Sequence, residues 1–240
     1  MEKEQQLAFI FCYKDDSLES SPTINDHEQH LWEVFTRLCE NNLMVNLDKC
    51  VLAKPTVTFL CHMVDSKRIR LLPENVATIQ QFPPPTSKLD VQRLLGMCHF
   101  YHQFLSCLAH IVRPLTDYLA TTKREFTVTE DMLQSVLAIK NILFNACMLV
   151  HPIRNTMLPI TTDASDIAIG EILHQHHHGH LQPLTFFSRK LNDAELNYSA
   201  FDRELLTVAP AIKHFQHSIE GRQVIVYTDQ APLLINLPES

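Results

Sequence analysis

Two different spacings of hydrophobic residues occur along the chain, and together they predict both helices and strands. Apolar residues recur every three or four positions over 27–43, 87–104 and 126–149, which predicts amphipathic helices there. Residues 158–163 follow a period of two and are rich in β-branched side chains, which predicts a strand. The chain is therefore predicted to combine helices and strands rather than to be all-α or all-β.

The order of elements after residue 152 predicts the type of sheet. The pattern indicates three strands, a helix and a last strand, over 158–163, 167–174, 182–188, 194–218 and 223–229. Several consecutive strands before a helix favour a mixed sheet over regular βα alternation. The predicted fold class is therefore α+β, a mixed α/β arrangement.

Size and charge limit the classes of protein to which the chain can belong. Its 240 residues, 45% of them hydrophobic, suffice for one large domain or two smaller ones. The net charge of −7 is unexpected for a nucleic-acid-binding protein, because phosphate contacts come from Lys and Arg. No apolar stretch approaches the length of a membrane span, so no membrane partner is expected. The first residues also lack the apolar core of a signal peptide.

The seven cysteines show no spacing that is typical of a zinc site. Most lie in apolar runs, so we expect reduced, buried thiols in an intracellular protein, cytoplasmic or nuclear and not secreted. Their positions are Cys12, Cys39, Cys50, Cys61, Cys98, Cys107 and Cys147. A run of histidines over 174–180 occupies a predicted hairpin turn, where solvated side chains are a simpler interpretation than a zinc site.

Three carboxylates stand in ordered contexts of the carboxyl-terminal part. Asp163 ends a predicted strand, Glu204 lies early in a predicted helix, and Asp229 ends another predicted strand. A site for two divalent ions needs such a set, because Mg²⁺ prefers oxygen ligands and two ions can hold the attacking and leaving oxygens of a phosphodiester. For any single acid, a helix cap or an exposed turn is the simpler interpretation.

Six motifs around these acids follow in a fixed order. They are Thr162-Asp-Ala-Ser165, Ile169-Gly170, Phe187-Ser-Arg-Lys-Leu191, Glu195-x-Asn-Tyr198, Arg203-Glu-Leu-Leu206 and Tyr227-Thr-Asp-Gln230 with Pro232-Leu233. Together they resemble the ribonuclease H domain of gypsy-like long-terminal-repeat retrotransposon polyproteins. The resemblance implies Asp163, Glu204 and Asp229 as catalytic metal ligands. It also implies Mg²⁺ or Mn²⁺ as cofactor and RNA in RNA–DNA hybrids as substrate.

The amino-terminal part resembles the reverse transcriptase of the same polyproteins. An apolar strand runs into Asp15 and Asp16, and this pattern is similar to the palm hairpin, although any acidic turn after a strand would match. The resemblance implies Asp15 and Asp16 as catalytic metal ligands. It implies three domains: a partial palm (1–72), helices of a thumb and connection (73–151) and a truncated ribonuclease H-like domain (152–240).

Several positions depart from the family pattern. Cys61 stands where the family usually has glycine, which is unfavourable if the position requires a positive φ. Glu171 stands where the family favours a small residue, and Pro210 lies inside the helix that carries Glu204. The turn 101–104 carries His and Gln where the family tends to place basic residues, which would weaken phosphate contacts.

The sequence also lacks parts that both active sites of the family use. The third polymerase aspartate would precede the first residue, and the fourth ribonuclease H carboxylate would follow the last. We therefore expect polymerase activity to be lost and nuclease activity to be weak or lost. Expected partners are an RNA–DNA hybrid or template–primer duplex, together with other Pol-derived chains. Two alternatives stay open: a non-catalytic domesticated or remnant module that binds nucleic acid or protein, and an unstable pseudogene product.

Overall fold

The computed structural model describes residues 9–121, 126–153, 156–228 and 233–236. The chain divides into two compact units, an amino-terminal unit (Met1–Ser66) and a carboxyl-terminal unit (Lys67–Ser240). Helices and sheets occur in both, which confirms the predicted mixed α/β class. The three-domain division inferred from the family resemblance remains a prediction.

A tight hairpin and one helix form the first part of the amino-terminal unit. Strands β1 (Ile10–Tyr13) and β2 (Asp16–Glu19) pair antiparallel, with Tyr13 opposite Asp16. The helix α1 (Ile24–Glu40) follows, and the Thr23 side chain accepts the Asp26 N–H at its amino-terminal end. The predicted helix therefore begins three residues earlier than the hydrophobic pattern indicated.

A second hairpin closes the amino-terminal unit. Strands β3 (Thr56–Phe59) and β4 (His62–Asp65) pair antiparallel through a two-residue loop, Leu60–Cys61. Both loop residues have positive φ, 46° for Leu60 and 62° for Cys61. This is the geometry in which glycine is favoured, because an L side chain crowds the backbone there. The expectation that Cys61 occupies a position suited to glycine is confirmed.

The carboxyl-terminal unit begins with a helical layer. It contains β5 (Arg68–Leu71), α2 (Pro73–Gln80), α3 (Lys88–Phe100), α4 (Leu108–Ala120), α5 (Glu130–Phe144) and β6 (Leu149–Val150), and β6 pairs antiparallel with β5. Leu94, Leu115 and Ile139, one from each of α3, α4 and α5, are fully buried in a shared core. Ser87 and Thr129 cap α3 and α5 by accepting backbone N–H groups.

Two helices are shorter than the hydrophobic pattern predicted. The helix expected to reach residue 104 ends at Phe100, and a 3-10 turn (His102–Phe104) follows Tyr101. The helix expected to reach residue 149 ends at Phe144, where Asn145 adopts a non-helical conformation and its side chain donates to the Asn141 carbonyl. Apolar residues continue past both helix ends, so a prediction from periodicity alone made both helices too long.

A five-stranded mixed sheet forms the rest of the carboxyl-terminal unit. Its strands are β7 (Ile160–Ala164), β8 (Ala168–His177), β9 (His180–Lys190), β10 (Gln223–Tyr227) and β11 (Leu233–Asn236), and the helix α6 (Ala200–Ile219) lies between β9 and β10 in the chain. The order in the sheet is β11-β10-β7-β8-β9. Only the β10–β7 pair is parallel, which agrees with the predicted mixed sheet.

The two faces of this sheet pack against different layers. On β9, Phe186 belongs to the core shared with α3, α4 and α5. The next residue, Phe187, packs against the second core, in which Ile160 and Leu173 contact the helix α6. Because successive side chains of a strand point to opposite faces, α6 covers one face and the helical layer covers the other.

Strand β9 is the last strand on one side of the sheet, and its pairing with β8 is irregular. A bulge separates Leu173 from His174, and Pro183 lies opposite His174. The turn consists of His178 and Gly179, both with positive φ. The hairpin turn predicted within the histidine run is present, but it is shorter than predicted, because the two strands continue through most of the run.

The cysteines differ from expectation as well. All seven are free, but only Cys98 is buried and Cys50 is partly buried. The others are exposed: Cys12, Cys39, Cys61, Cys107 and Cys147. An apolar neighbourhood in sequence does not determine which face of an element a side chain occupies. Within the described residues, no helix is both long and apolar enough to cross a membrane.

Candidate active site

Asp163 lies near the end of β7, with an exposed side chain. It pairs directly with Gly170 on β8. A Cβ placed on Gly170 would lie 3.9 Å from the Cys107 sulfur, so the residues of this pair face the beginning of α4. Although the residue is exposed as a whole, partial burial of its thiol raises the pKa of Cys107, and the charge of Asp163 raises it further, which agrees with this placement.

Glu204 lies on the sheet-facing side of α6 and is only 8% exposed. It begins a stripe of buried residues spaced three or four apart, which continues through Thr207, Ala211 and Phe215. Ser199 caps the start of the helix, because its hydroxyl accepts the Asp202 N–H. Capping therefore fixes the first turns of α6, and with them the position of Glu204.

The helix that carries Glu204 packs against the strand that carries Asp163. Side chains alternate between the two faces along β7, and this alternation directs Asp163 away from α6. Ile160, on the same strand, pairs with Leu173 of β8, and both contact this helix. Asp163 is three positions from Ile160 and so belongs to the opposite face. The two acids are thus on contacting elements but on opposite sides of the ladder, a relationship that the motif spacing did not predict.

Asp229 lies outside the described residues. The part of β10 that the structure describes runs parallel to β7, with Tyr227 opposite Thr161. Thr161 is two residues before Asp163, and Tyr227 is two residues before Asp229. The residues that precede the two acids by two positions are therefore opposite one another in the parallel pair.

Asp15 and Asp16 lie in the amino-terminal unit. Lys14 and Asp15 form the two-residue loop of the β1–β2 hairpin, with Lys14 at a φ of 52°, and Asp16 is the first residue of β2. Both aspartates are exposed. The hairpin that the sequence predicted is present, with both acids at its tip.

Carboxylate oxygens suit hard cations such as Mg²⁺ or Mn²⁺, so Asp163 and Glu204 have the right chemistry for a metal site. In the described part of the chain, no three His, Cys, Asp or Glu residues are grouped so that they could hold a metal ion. Asp229 lies outside that part, so the structure describes only two of the three predicted acids, Asp163 and Glu204.

Glu171 is the most unusual acid of the sheet. It is 1% exposed, and neither carboxylate oxygen has a hydrogen-bond partner among the described residues. Burial raises the pKa of its carboxyl group to about 8, and the positive charge of Arg189 opposes this rise only in part. The expectation of an unfavourable buried carboxylate, drawn from the small residue usual in the family, is confirmed for this chain.

Several motif residues prove to have structural contacts that the sequence did not reveal. Arg189 donates two hydrogen bonds to the carboxylate of Glu195, at 2.7 and 2.9 Å. Glu195 also accepts the Asn192 N–H, and its own N–H donates to the Asn192 side chain. The paired arginine and this hydrogen bond lower the pKa of Glu195. These contacts fasten the connection between β9 and α6.

A second motif residue joins the sheet to the helical layer. The Ser188 hydroxyl accepts the Ala109 N–H at 3.0 Å, near the beginning of α4. Lys190 forms an ion pair with Asp117 of α4, 2.5 Å between nitrogen and oxygen. The Phe-Ser-Arg-Lys-Leu motif thus holds β9 against α4 and orders the approach to α6.

Comparison with known proteins agrees with this fold. Residues 128–226 match the model of the family described as "RNase H-like domain found in reverse transcriptase". This part of the chain is therefore similar to a reverse-transcriptase RNase H-like domain. This domain includes β7, β8, β9, α6 and most of β10, so Asp163 and Glu204 both lie within it.

The relatives of the chain are retrotransposon polyproteins. It is 35% identical to the retrovirus-related Pol polyprotein from transposon 297 of Drosophila melanogaster, over 95% of the chain and 21% of that polyprotein. It is 33% identical to the Pol polyprotein from transposon opus of the same organism, over 95% of the chain and 24% of the polyprotein. The transposon Tf2-3 polyprotein of Schizosaccharomyces pombe is 29% identical over 91% of the chain and 16% of its own length. The chain therefore spans a quarter or less of each of these relatives.

Solved structures with the same fold come from a virus. The foamy viral protease-reverse transcriptase in complex with RNA/DNA hybrid superposes with a TM-score of 0.82 at 24% identity, over 91% of this chain and 30% of the viral chain. The same protein in complex with dsDNA gives a TM-score of 0.80 at 24% identity, over 91% of this chain and 46% of the viral one. The predicted relationship to retrotransposon Pol polyproteins is confirmed, and the viral structures establish the fold.

Proposed function

We propose that the chain derives from a gypsy-like retrotransposon and that its RNase H-like domain performs metal-dependent cleavage of RNA in RNA–DNA hybrids. Asp163, Glu204 and Asp229 are the proposed catalytic acids. The observation that supports this most directly is the parallel register of β10 beside β7, because Tyr227 lies opposite Thr161 and each precedes a candidate acid by two residues. The nucleic acids in the viral complexes support the substrate class by analogy.

The proposed residues divide the chemistry among them. Bound Mg²⁺ or Mn²⁺ ions would supply Lewis-acid stabilisation of the attacking and leaving oxygens. Asp163, at the exposed end of β7, would be the accessible ligand, and Glu204 would approach from the first turns of α6. Because Asp163 and Glu204 lie on opposite sides of the ladder, a complete site requires Asp163 to turn its carboxylate around the end of β7.

The amino-terminal unit is proposed to descend from a reverse-transcriptase palm. Asp15 and Asp16 would be two of its metal ligands, and RNA-directed DNA synthesis would be its ancestral activity. The proposed domains are a palm-derived part (1–72), the thumb and connection (73–151) and a ribonuclease H-like domain (152–240). Other Pol-derived chains are proposed partners, and an intracellular location remains a prediction.

Nuclease activity is expected to be weak. Pro210 lies inside α6 and cannot donate the backbone hydrogen bond of its turn. Glu171 is buried one residue from Gly170, the cross-strand neighbour of Asp163. Both features destabilise the region from which two of the proposed acids project.

A cleavage assay tests the proposal. The purified chain is incubated with a labelled RNA–DNA hybrid in Mg²⁺ or Mn²⁺, and the variants Asp163→Asn and Asp166→Asn are compared. Asp166 is an exposed acid three residues further along and serves as the matched control. The proposal expects slow cleavage that is lost in Asp163→Asn and kept in Asp166→Asn. Equal loss in both variants, or no cleavage with either metal, contradicts it.

A second candidate function is a non-catalytic module that binds nucleic acid. The observation that favours it is the placement of Asp163 and Glu204 on opposite faces of the ladder. This function predicts salt-dependent binding of the hybrid with no turnover in either metal, and binding that is unchanged in Asp163→Asn.

A further inference from the structure

The histidine run lies on both strands of the β8–β9 hairpin, and the register of the hairpin determines which of its side chains are neighbours. Strand β8 ends at His177, β9 begins at His180, and these two residues are directly opposite one another across the turn. Directly opposite side chains point to the same face of a ladder, with Cβ atoms about 4.5–5.5 Å apart. The two imidazole groups are therefore neighbours on one face of the hairpin end.

The hairpin holds this pair in a fixed register. Its turn consists of His178 and Gly179, with φ of 49° and 79°, and two-residue turns with positive φ match the twist of the strands that they join. Two residues before His177, the Gln175 side chain is 1% exposed and donates to the Gln182 side chain directly opposite, at 3.0 Å. The histidine pair therefore continues an ordered ladder and does not lie in a loop.

The His177 ring has a further contact that limits its motion. Its centroid lies 3.9 Å from that of the His178 ring, with 53° between the two planes. His177 is half-buried, whereas His180 is exposed and accessible to an ion in solution. A ligand group that is already restricted loses less conformational entropy when it binds, so this contact favours binding at His177.

The chemistry of two adjacent imidazoles suits a particular class of ion. A neutral imidazole nitrogen is a preferred ligand of Zn²⁺, Cu²⁺ and Ni²⁺, whereas the hard ions Mg²⁺ and Ca²⁺ prefer oxygen. Zinc–nitrogen bonds are about 2.0–2.1 Å long, so one ion can bridge two rings on directly opposite residues. The pair therefore differs in metal preference from the carboxylates of Asp163 and Glu204.

The ladder separates this pair from the other histidines of the run. His176 is opposite Leu181, and because side chains alternate along a strand, it points to the other face. Within the part of the chain that the structure describes, no three His, Cys, Asp or Glu residues are grouped so that they could hold an ion. The chain therefore supplies two ligands at this position, and water completes the coordination.

We propose that His177 and His180 form a two-histidine binding site for a divalent transition-metal ion such as Zn²⁺. The site depends on the register of the hairpin and not on the number of histidines in the run. It goes beyond the proposed nuclease function, because it uses none of the candidate acids and requires no nucleic acid.

Isothermal titration calorimetry with Zn²⁺ tests the site. The full chain is used with its exposed thiols alkylated, because thiolates also bind Zn²⁺, and with Mg²⁺ in excess to occupy the carboxylates. The wild type is expected to bind Zn²⁺, and His177→Gln/His180→Gln is expected to lose this binding. Each single variant is expected to weaken it by about a hundredfold, because a second ligand on the same chain binds at a high effective concentration.

His176→Gln is the matched control. It removes one exposed histidine from the same run but from the other face, and it is expected to keep the wild-type affinity. Circular dichroism without metal checks that the variants fold alike. A second measurement needs no variant: in nuclear magnetic resonance spectra of the chain with ¹⁵N-labelled imidazoles, Zn²⁺ is expected to shift the His177 and His180 signals and to leave that of His176 in place.

Three outcomes overturn the site. They are the absence of Zn²⁺ binding by the wild type, equal binding by the wild type and the 177/180 variant, and a loss in His176→Gln as large as in that variant. The last result would show that the run binds as a set of equivalent, solvated histidines. Cleavage of the hybrid has no bearing on these measurements, so the metal site and the nuclease function can fail independently.

Discussion

Glu171 lies directly opposite Thr162 across the β7–β8 ladder, and both side chains are almost completely buried. Neither the Glu171 carboxylate nor the Thr162 hydroxyl has a hydrogen-bond partner among the described residues. Thr162 is the residue immediately before Asp163. An unsatisfied polar pair therefore lies inside the sheet beside the main candidate acid, where burial without a partner is unfavourable.

Replacing Glu171 with alanine is expected to stabilise the fold in a pH-dependent way. Burial raises the pKa of Glu171 from 4.5 to about 8, so across this interval the folded protein keeps a proton that the unfolded chain has lost. The wild-type free energy of unfolding therefore falls as the pH rises from 4.5 to 8, by roughly 5 kcal/mol at most. Glu171→Ala removes this slope and raises the free energy of unfolding at pH 8.5 by about 2 kcal/mol or more.

Urea unfolding at a series of pH values measures the effect of Glu171→Ala. Asp193→Asn, which neutralises an exposed acid, serves as the control and should keep the wild-type slope. A wild-type free energy of unfolding that is constant or rises between pH 4.5 and 8, with the slope unchanged in Glu171→Ala, would contradict the expected burial of a protonated carboxyl.

The Leu60–Cys61 loop gives a prediction for the amino-terminal unit. Cys61→Gly is expected to raise the stability of this unit by about 1 kcal/mol, because glycine adopts a φ of 62° without steric strain. Cys61→Ala keeps a Cβ at the same position and should bring no such gain. Trp32, the only tryptophan of the chain, lies in this unit and provides the fluorescence signal for the unfolding midpoint. Equal midpoints for the glycine and alanine variants would show that the backbone is not strained there.

Pro210 gives a prediction for α6. Pro210→Ala restores a backbone N–H that can donate to the Leu206 carbonyl, and it is expected to stabilise the helix by up to about 3 kcal/mol. Pro84, an exposed proline outside the helices, provides the control variant Pro84→Ala, which lacks this gain. Thermal unfolding followed by far-ultraviolet circular dichroism compares the two. A lower midpoint in Pro210→Ala would show that the surrounding packing has adapted to the proline ring.

The Arg189–Glu195 pair gives a prediction for the stability of the fold at acidic pH. The pKa of Glu195 is lowered by Arg189, so the pair contributes stability above the ordinary carboxyl pKa of 4.5 and loses it as the pH falls through the lowered value. Glu195→Gln is expected to lower the free energy of unfolding by about 1–3 kcal/mol at pH 7 and to weaken its dependence on pH below 4.5. Glu33→Gln removes an exposed pair with Arg37 and should cost only about 0.5 kcal/mol. Equal losses in the two variants would show that Arg189 and Glu195 form no more than a surface ion pair.

Local sequence signals predicted many of the elements and some of the strained positions. The period-two pattern located β7 and β8, and the helical pattern located α6. The glycine expected at position 61 and the small residue expected at position 171 identified an unfavourable backbone turn and a buried acid. These features depend on a few neighbouring residues, so a motif is enough to locate them.

Relationships that depend on packing were not predictable. The motifs gave the identity of the acids but not the strand parity that directs Asp163 toward Cys107 while Glu204 faces the other side. Helix ends were set by the conformations of Tyr101 and Asn145, and apolar periodicity carries no information about them.

The irregular edge of the sheet affects how the molecule behaves at high concentration. Pro183 offers no N–H group, and the bulge before His174 bends the outer hairpin. A strand from another copy could therefore not add a continuous row of hydrogen bonds along β9. This interruption opposes growth of the sheet into fibrils. It helps a chain that buries the unsatisfied Glu171–Thr162 pair to remain as separate molecules in solution.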